Sequence, residues 1–251
     1  MAFELDIILS GEQLLKPGAV WDALRLDADI VALTPQPVRD MYIDKKITGI
    51  SGYLWAAKDQ MSFALGFGNA HLSVRPDMRF NQHTDFSYAK VSICDLDELI
   101  AHRAKWLSHI FEHPGFIYAQ VSNTEYKRRQ MMTSIQQFEI EGIAHSHLPK
   151  KHNGFPPPIG KEIVDVANNP GRFERRQGYE AAVAAEMWLG TRFFELTNLS
   201  KQQLEESEFM VNTQGELLHL TAYDKPFDCA NGEQGLIQHR LWQLLYGNDE
   251  K

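Results

Sequence analysis

The stretch EFMVNTQGELLHLTAY, residues 208–223, decides the fold class when it is taken with the helical pattern that follows it. Residues 208–213 and 216–223 contain the apolar and β-branched side chains that strands favour. Between them stands Gln214-Gly215, where glycine allows the tight turn of a hairpin. This stretch therefore predicts two antiparallel strands.

The C-terminal segment predicts an amphipathic helix. Asn231 and Gln234 predict the start of the helix, and Gly247 predicts its end. Between these points the apolar residues recur with helical spacing. The predicted buried stripe consists of Leu236, Ile237, Leu241, Leu244 and Leu245.

Further elements follow on moving outward along the chain. Strands are predicted at 3–9, 87–93 and 115–121 and within the glycine-broken region 47–74, and helices at 95–111, 123–138 and 200–207. The pattern at 179–196 fits either a helix or strands in its first part. These elements predict an α+β fold in which antiparallel sheet or sheets pack against a few amphipathic helices.

The domain organisation depends on residues 142–158. This segment contains Pro149, Gly154 and the run Pro156-Pro157-Pro158, which has no internal backbone donors and stays extended. A long ordered surface loop and a domain boundary both fit such a segment. We predict a single α+β domain over residues 1–251, with a subdivision near 142–160 as the alternative.

Composition restricts the classes of partner and compartment. The chain has 251 residues and a formal net charge of −8, and acidic surfaces repel phosphate backbones and attract basic proteins. Cys94 and Cys229 predict two buried thiols in a reducing compartment. No secretory signal and no long apolar run is present, so we expect a cytoplasmic protein that binds neither membrane nor nucleic acid.

Histidines supply the main candidate for metal chemistry. His145 and His147 lie two apart, with His152 nearby, and in an extended segment residues two apart point to the same side. A metal-dependent hydrolase using this pair and nearby carboxylates is the alternative function. A hydrogen-bonded surface loop is the favoured interpretation. His109 and His113 lack an evident third ligand.

Catalytic motifs are otherwise lacking in the sequence. The chain contains no Gly-x-Ser-x-Gly elbow, and the glycines at 66 and 68 lack the third glycine of a dinucleotide loop. Pro76-Asp77 and residues 125–127 contain the residue types of a metal-dependent nuclease centre. Residues 125–127 lie at a predicted helix start rather than on a core strand, so they do not fit such a centre. We therefore assign no catalytic residue, metal or cofactor.

Two groups of acidic residues are candidates for binding a partner. Asp95, Asp97 and Glu98 crowd the start of the predicted helix at 95–111. Glu205, Glu206 and Glu208 follow Lys201 near another predicted element. Solvated carboxylates and helix caps are the simpler interpretation of both groups.

The second half of the chain carries a distinctive series of short motifs. They are Asn153-Gly154-Phe155-Pro156-Pro157-Pro158, Asn169-Pro170-Gly171-Arg172, Gly178-Tyr179, Glu186-Met187-Trp188-Leu189-Gly190, Phe193-Phe194-Glu195-Leu196, Tyr223-Asp224-Lys225-Pro226-Phe227-Asp228 and Gln238. This series, over roughly the last hundred residues, resembles bacterial immunity proteins that accompany polymorphic or type VI secreted toxins.

The resemblance implies a cytoplasmic antidote that binds one cognate toxin and blocks it. It carries over no catalytic or contact residues, because such families share none. An acidic inhibitor of a basic toxin would gain association rate from opposite charge. From the sequence we therefore predict an immunity protein whose partner is a cognate, basic toxin.

Overall fold

The structure is a computed structural model that describes residues 3–10, 63–67, 70–77, 88–94, 111 and 114–247; for the strands between 63 and 94 it describes the backbone. The predicted helix at 95–111 falls almost wholly outside these residues. So do Asp95, Asp97, Glu98, His109 and His113.

One antiparallel sheet of eight strands organises the fold, in the order β11-β12-β10-β5-β1-β4-β3-β2. Its strands are β1 (Phe3–Ser10), β2 (Phe63–Phe67), β3 (Ala70–Asp77), β4 (Tyr88–Cys94), β5 (Phe116–Asn123), β10 (Glu186–Leu189), β11 (Met210–Gln214) and β12 (Leu217–Thr221). Strands β2, β3 and β4 form an antiparallel meander, in which each strand pairs with the next described strand along the chain.

Two small sheets and five described helices complete the architecture. The small sheets pair β6 (Lys150–His152) with β7 (Glu162–Val164) and β8 (Phe173–Arg176) with β9 (Tyr179–Ala182). The helices are α1 (Thr124–Gln130), α2 (Ile135–Ile140), α3 (Thr191–Thr197), α4 (Lys201–Glu205) and α5 (Gly232–Tyr246). The predicted α+β fold class is confirmed.

The N-terminal strand lies inside the sheet, between β4 and β5. Its residues 5–9 are all buried, including Asp6. A strand buried on both faces is apolar along its length rather than alternating, which explains the run Ile7-Ile8-Leu9.

The main core packs one face of the sheet against α3 and α5. It joins Tyr118 of β5 and Met187 of β10 to Phe193 of α3 and Trp242 of α5. The ring of Phe193 meets Tyr118 edge-on at a centroid separation of 5.9 Å. This edge-to-face geometry adds to the stabilisation from apolar burial.

The predicted helix at 123–138 is two helices, α1 and α2. Thr133 lies between them, and its carbonyl accepts a hydrogen bond from the Val164 amide of β7 at 2.9 Å. Ser134 then caps α2, its hydroxyl accepting from the Gln137 amide at 3.3 Å. The prediction of one helix was wrong because a strand distant in sequence takes the carbonyl at the break.

The C-terminal helix is confirmed, but its predicted stripe is partly wrong. Leu236 is 64% exposed and Leu244 is only half-buried. Gln234, Gln238, Trp242 and Tyr246 lie on the buried face beside Ile237, Leu241 and Leu245. Asn231 stands at the N-cap but makes no side-chain cap hydrogen bond. Apolar periodicity alone missed the two glutamines, whose amides have partners in the interior.

The predicted hairpin is confirmed with its turn one residue later. The turn residues are Gly215 and Glu216, and Gly215 has a φ of 62°. A first turn residue with positive φ is typical of a type II′ turn, in which glycine is favoured. The ambiguous region 179–196 contains β9, β10 and most of α3.

Candidate functional site

The loop at 153–160, between β6 and β7, is held by a dense set of hydrogen bonds. The Asn153 carboxamide accepts from the amides of Phe155 at 3.2 Å and Lys161 at 3.1 Å, and donates to the Ile159 carbonyl at 3.0 Å. The Gly160 amide donates to the Pro156 carbonyl at 2.9 Å. One asparagine thereby fixes both ends of the loop.

Large apolar side chains stand at the tip of this fixed loop. Phe155 is 57% exposed and Ile159 is 65% exposed, and the three prolines between them are also exposed. At the base, Lys151 pairs with Asp165 at 2.7 Å. We call residues 153–160 the apolar loop. The prediction of an ordered surface loop gave its position, but its apolar exposure could be found only from the structure.

The predicted acidic group at 205–208 lies beside the terminal hairpin. Glu205 accepts a hydrogen bond from the Thr213 hydroxyl of β11 at 2.8 Å. Glu206 accepts from Gln202 at 2.7 Å, and Glu208 pairs with Arg240 of α5 at 3.0 Å. The three carboxylates therefore have different partners and do not converge on one point.

The histidines of the predicted metal site do not converge either. The His145 ring lies 5.9 Å from the Phe138 ring, and its Nε2 is 3.8 Å from the Glu139 carboxylate. His147 is exposed, while His152 Nδ1 accepts from the Gly154 amide at 3.1 Å. Among the described residues no group of three His, Cys, Asp or Glu side chains is arranged to hold a metal ion.

A small cavity of about 20 Å³ lies where β5, α1 and the segment 182–184 meet. Gln120, Ser122, Lys127 and Arg172 contribute its polar lining. Gln120 Oε1 and Ser122 Oγ are buried without a hydrogen-bond partner. A cavity of this size holds about one water molecule, which would satisfy such groups. The apolar content of residues 115–121 does not indicate this cavity, although the polar residues Gln120 and Ser122 alternate at the end of β5.

Two cationic side chains, those of Lys127 and Arg172, line this cavity. The Lys127 ammonium group contacts the Asp6 carboxylate, which is fully buried, and lies 3.8 Å from Glu4. The Arg172 guanidinium stacks 3.7 Å from the Trp242 ring and donates to Glu174 at 2.7 Å. Each of these cations already has a carboxylate partner, so the arrangement joins α1 to the sheet.

Glycines of the resemblance motifs occupy positions that tolerate no side chain. A Cβ on Gly190 would lie 2.7 Å from the Phe116 ring and 2.9 Å from the Phe116 carbonyl oxygen. A Cβ on Gly171 would lie 2.6 Å from the Tyr126 ring and 2.7 Å from Gln130. These glycines let β10 approach β5 and let the turn at 169–171 approach α1.

The Pro-Phe-Asp turn is fixed by glutamines of α5. Gln234 Oε1 accepts from the amides of Asp228 at 2.9 Å and Cys229 at 3.2 Å. Gln238 donates to the Cys229 carbonyl at 3.0 Å and accepts from the Tyr126 hydroxyl at 3.0 Å. Burial raises the pKa of Tyr126, so this hydroxyl remains a donor at neutral pH. These motif residues therefore maintain the scaffold.

No family model, curated protein or solved structure matches the chain. Within the described residues, no helix is long and apolar enough to cross a bilayer.

Cys229 is a free, exposed thiol, so the prediction that it is buried was wrong. Its position in the exposed segment between Asp228 and α5 explains the difference.

Proposed function

We propose that this protein is an immunity protein, which binds and neutralises a cognate antibacterial toxin. The observation that carries the proposal is the apolar loop. It presents Phe155 and Ile159 to solvent on a backbone fixed by the Asn153 hydrogen bonds. The loop also belongs to the first of the motifs that resemble immunity proteins.

A fixed apolar loop suits tight binding to another macromolecule. Exposed aromatic and aliphatic side chains gain free energy when a partner covers them. Because the backbone is already ordered, little conformational entropy is lost on association. Phe155 and Ile159 therefore have the properties of interface anchors, and their exposure costs the isolated protein solvation free energy that a partner recovers.

The scaffold role of the other motif residues also supports a binding function. Gly171, Gly190, Gln234 and Gln238 position backbone and turns. A cavity of about 20 Å³ is too small for an organic substrate, since ligand pockets typically enclose about 300–1,000 Å³. His145 and His152 have separate partners and His147 is exposed, so these residues give the alternative hydrolase no added support.

Co-expression in bacterial cells tests the proposal. Each gene product encoded beside this one is expressed alone and together with this protein, and growth is followed. We expect one neighbouring product to arrest growth and this protein to restore it. A Gly190→Ala variant, which we expect to destabilise the fold, should restore growth less well at equal expression.

Two results would contradict the proposal. In the first, none of the neighbouring products arrests growth. In the second, a toxic neighbour kills equally with and without this protein. Rescue without a complex between the purified proteins would also count against it, because the proposed mechanism is direct binding.

A further inference from the structure

The terminal hairpin ends the eight-stranded sheet with an uncovered strand. In the described sheet β11 pairs with β12 on one side and has no strand on its other side. Met210 is 64% exposed, and Asn212, Thr213 and Gln214 are exposed as well. The outer edge of β11 is therefore open to solvent.

The register identifies the backbone groups on this open edge. Gln214 lies opposite Leu217 across the two-residue turn, and the pair that closes such a hairpin exchanges both hydrogen bonds. Hydrogen-bonded pairs alternate with non-bonded pairs along an antiparallel ladder. Val211 and Thr213 are consequently the residues whose N–H and C=O groups point away from β12.

Strand β11 lacks the devices that usually block an edge. Its sequence, Met210–Gln214, contains no charged residue and no proline, and its register with β12 has no bulge. Proteins commonly protect edge strands with such features because an open edge pairs readily with another chain. The absence of these features within β11 leaves its backbone available for strand addition.

Negative charge flanks the open edge. Of the four carboxylates in residues 201–216, Glu208 pairs with Arg240 and Glu216 pairs with Lys201. Glu205 and Glu206 accept hydrogen bonds from neutral side chains, so their charges are not balanced by an ion pair. Glu205 reaches β11 itself through the Thr213 hydroxyl. A second copy of this chain added here would place acidic residues near acidic residues, whereas a basic segment would meet opposite charge.

We propose that an extended, basic segment of the toxin binds along β11 as a ninth strand of the sheet. Its backbone pairs with the outward groups of Val211 and Thr213. Its lysine or arginine side chains lie near Glu205 and Glu206. The inference rests on the proposed function and adds the surface and the kind of segment that the surface binds.

A matched pair of substitutions at Thr213 tests the backbone pairing. Thr213→Pro removes an outward N–H but no hydrogen bond to β12, whereas Thr213→Ala keeps that N–H. Both variants lose the hydroxyl bond to Glu205, so this loss cancels in the comparison. We expect Thr213→Pro to bind the purified toxin about tenfold more weakly than Thr213→Ala, by calorimetry.

Hydrogen exchange on the unaltered protein supplies a second measurement that does not depend on how the proline variant folds. We expect the amides of Val211 and Thr213 to exchange more slowly when the purified toxin is added. The amide of Ile143, which donates to the Phe138 carbonyl at the end of α2 and lies outside both proposed binding surfaces, serves as an internal reference.

The charge requirement is tested by the double substitution Glu205→Gln and Glu206→Gln. We expect its association rate with the toxin to fall about tenfold at low salt and the difference to shrink at high salt. Glu139→Gln, an exposed carboxylate on α2, is the control and should leave the rate unchanged.

The outcomes separate this inference from the proposed function. If the protein fails to neutralise any neighbouring product, both are wrong. If neutralisation occurs but the two Thr213 variants bind equally and the two amides gain no protection, the strand inference alone is wrong. It is also wrong if these amides gain protection with rising concentration of the protein by itself, since a second copy would then occupy the edge.

Discussion

The ammonium group of Lys127 in α1 contacts the carboxylate of Asp6, which is fully buried in the central strand β1. The two residues are 121 positions apart in the chain. Glu4 lies 3.8 Å from the same ammonium group. The contact therefore joins the first strand of the sheet to the helix that follows β5.

We predict strong coupling between Asp6 and Lys127. Lys127→Met alone leaves a buried carboxylate without this partner, and we expect a loss of about 3 kcal/mol in the free energy of unfolding. Asp6→Leu combined with Lys127→Met should recover most of that loss, because apolar groups replace both charges. Urea denaturation of the two single variants and the double variant measures the coupling; additive losses would contradict it.

The hydroxyl of Tyr246 is predicted to hold β9 against α5. It donates to the Ala182 carbonyl at 2.8 Å and accepts from the Ala182 amide at 3.3 Å. Burial raises the pKa of Tyr246, which keeps the hydroxyl protonated. We expect Tyr246→Phe to lower the free energy of unfolding by about 2 kcal/mol. Tyr223→Phe is the control, and an equal effect of both changes would argue against this role.

Gly190 is predicted to be irreplaceable at the start of α3. An added Cβ would meet the Phe116 carbonyl at 2.9 Å, and backbone cannot turn aside as a flexible side chain can. We expect Gly190→Ala to cost about 2 kcal/mol in thermal or urea unfolding. Gly247→Ala should change stability by less than about 0.5 kcal/mol, because its added methyl would meet only the mobile Gln243 carboxamide.

The exposed ion pairs of Glu125 with Arg128 and Arg129 in α1 predict that the stability of the protein depends on pH at low pH. Hydrogen bonds from Arg128, and then from Arg129, lower the pKa of Glu125 from 4.5 to about 2. Its stabilisation is therefore complete above 4.5 and is lost as the pH falls toward 2. We expect Glu125→Gln to be about 0.5 kcal/mol less stable at pH 7. This difference in the free energy of unfolding should disappear between pH 4.5 and 2 and should be smaller in 1 M salt. A difference that does not change with pH would contradict the prediction.

Substitutions in the apolar loop are predicted to weaken binding to a partner without changing the stability of the protein. We expect Phe155→Ala combined with Ile159→Ala to leave the unfolding midpoint unchanged, since both side chains are exposed. The same double variant should weaken binding to the proposed cognate toxin by about 2 kcal/mol or more. Ile140→Ala, which alters a side chain 70% exposed in α2, is the control. Unchanged toxin binding by the double variant would place the interface elsewhere.

Local sequence patterns predicted most helices and strands of the described chain, but not which of them lie next to each other in the fold. The strand at 3–9, the strand at 115–121 and the terminal hairpin were predicted from β-branched and apolar content and from turn residues. Their order in the sheet depends on contacts between distant residues, such as Ile7 opposite Ala119. No local pattern contains that information, and this is also why the Thr133 carbonyl bond that divides the helix at 123–138 was missed.

For the candidate sites as well, the sequence predicted positions along the chain but not the contacts between side chains. Acidic residues at 205–208 were predicted as a surface group, and the structure adds that Glu205 contacts the edge strand through Thr213. The partners of His145 and His152 depend on loop geometry, which the spacing of the histidines does not specify. The proline run predicted a loop, but the exposure of Phe155 and Ile159 depends on the hydrogen bonds of Asn153.

The central position of β1 has a consequence for how the protein is synthesised. This strand is synthesised before its neighbours β4 and β5, which begin only at residues 88 and 116. At about 5–20 residues per second, the nascent strand spends several seconds without either neighbour. During that interval the apolar run Ile7-Ile8-Leu9 is not yet covered by β4 or β5, and we expect it to be accessible to chaperones.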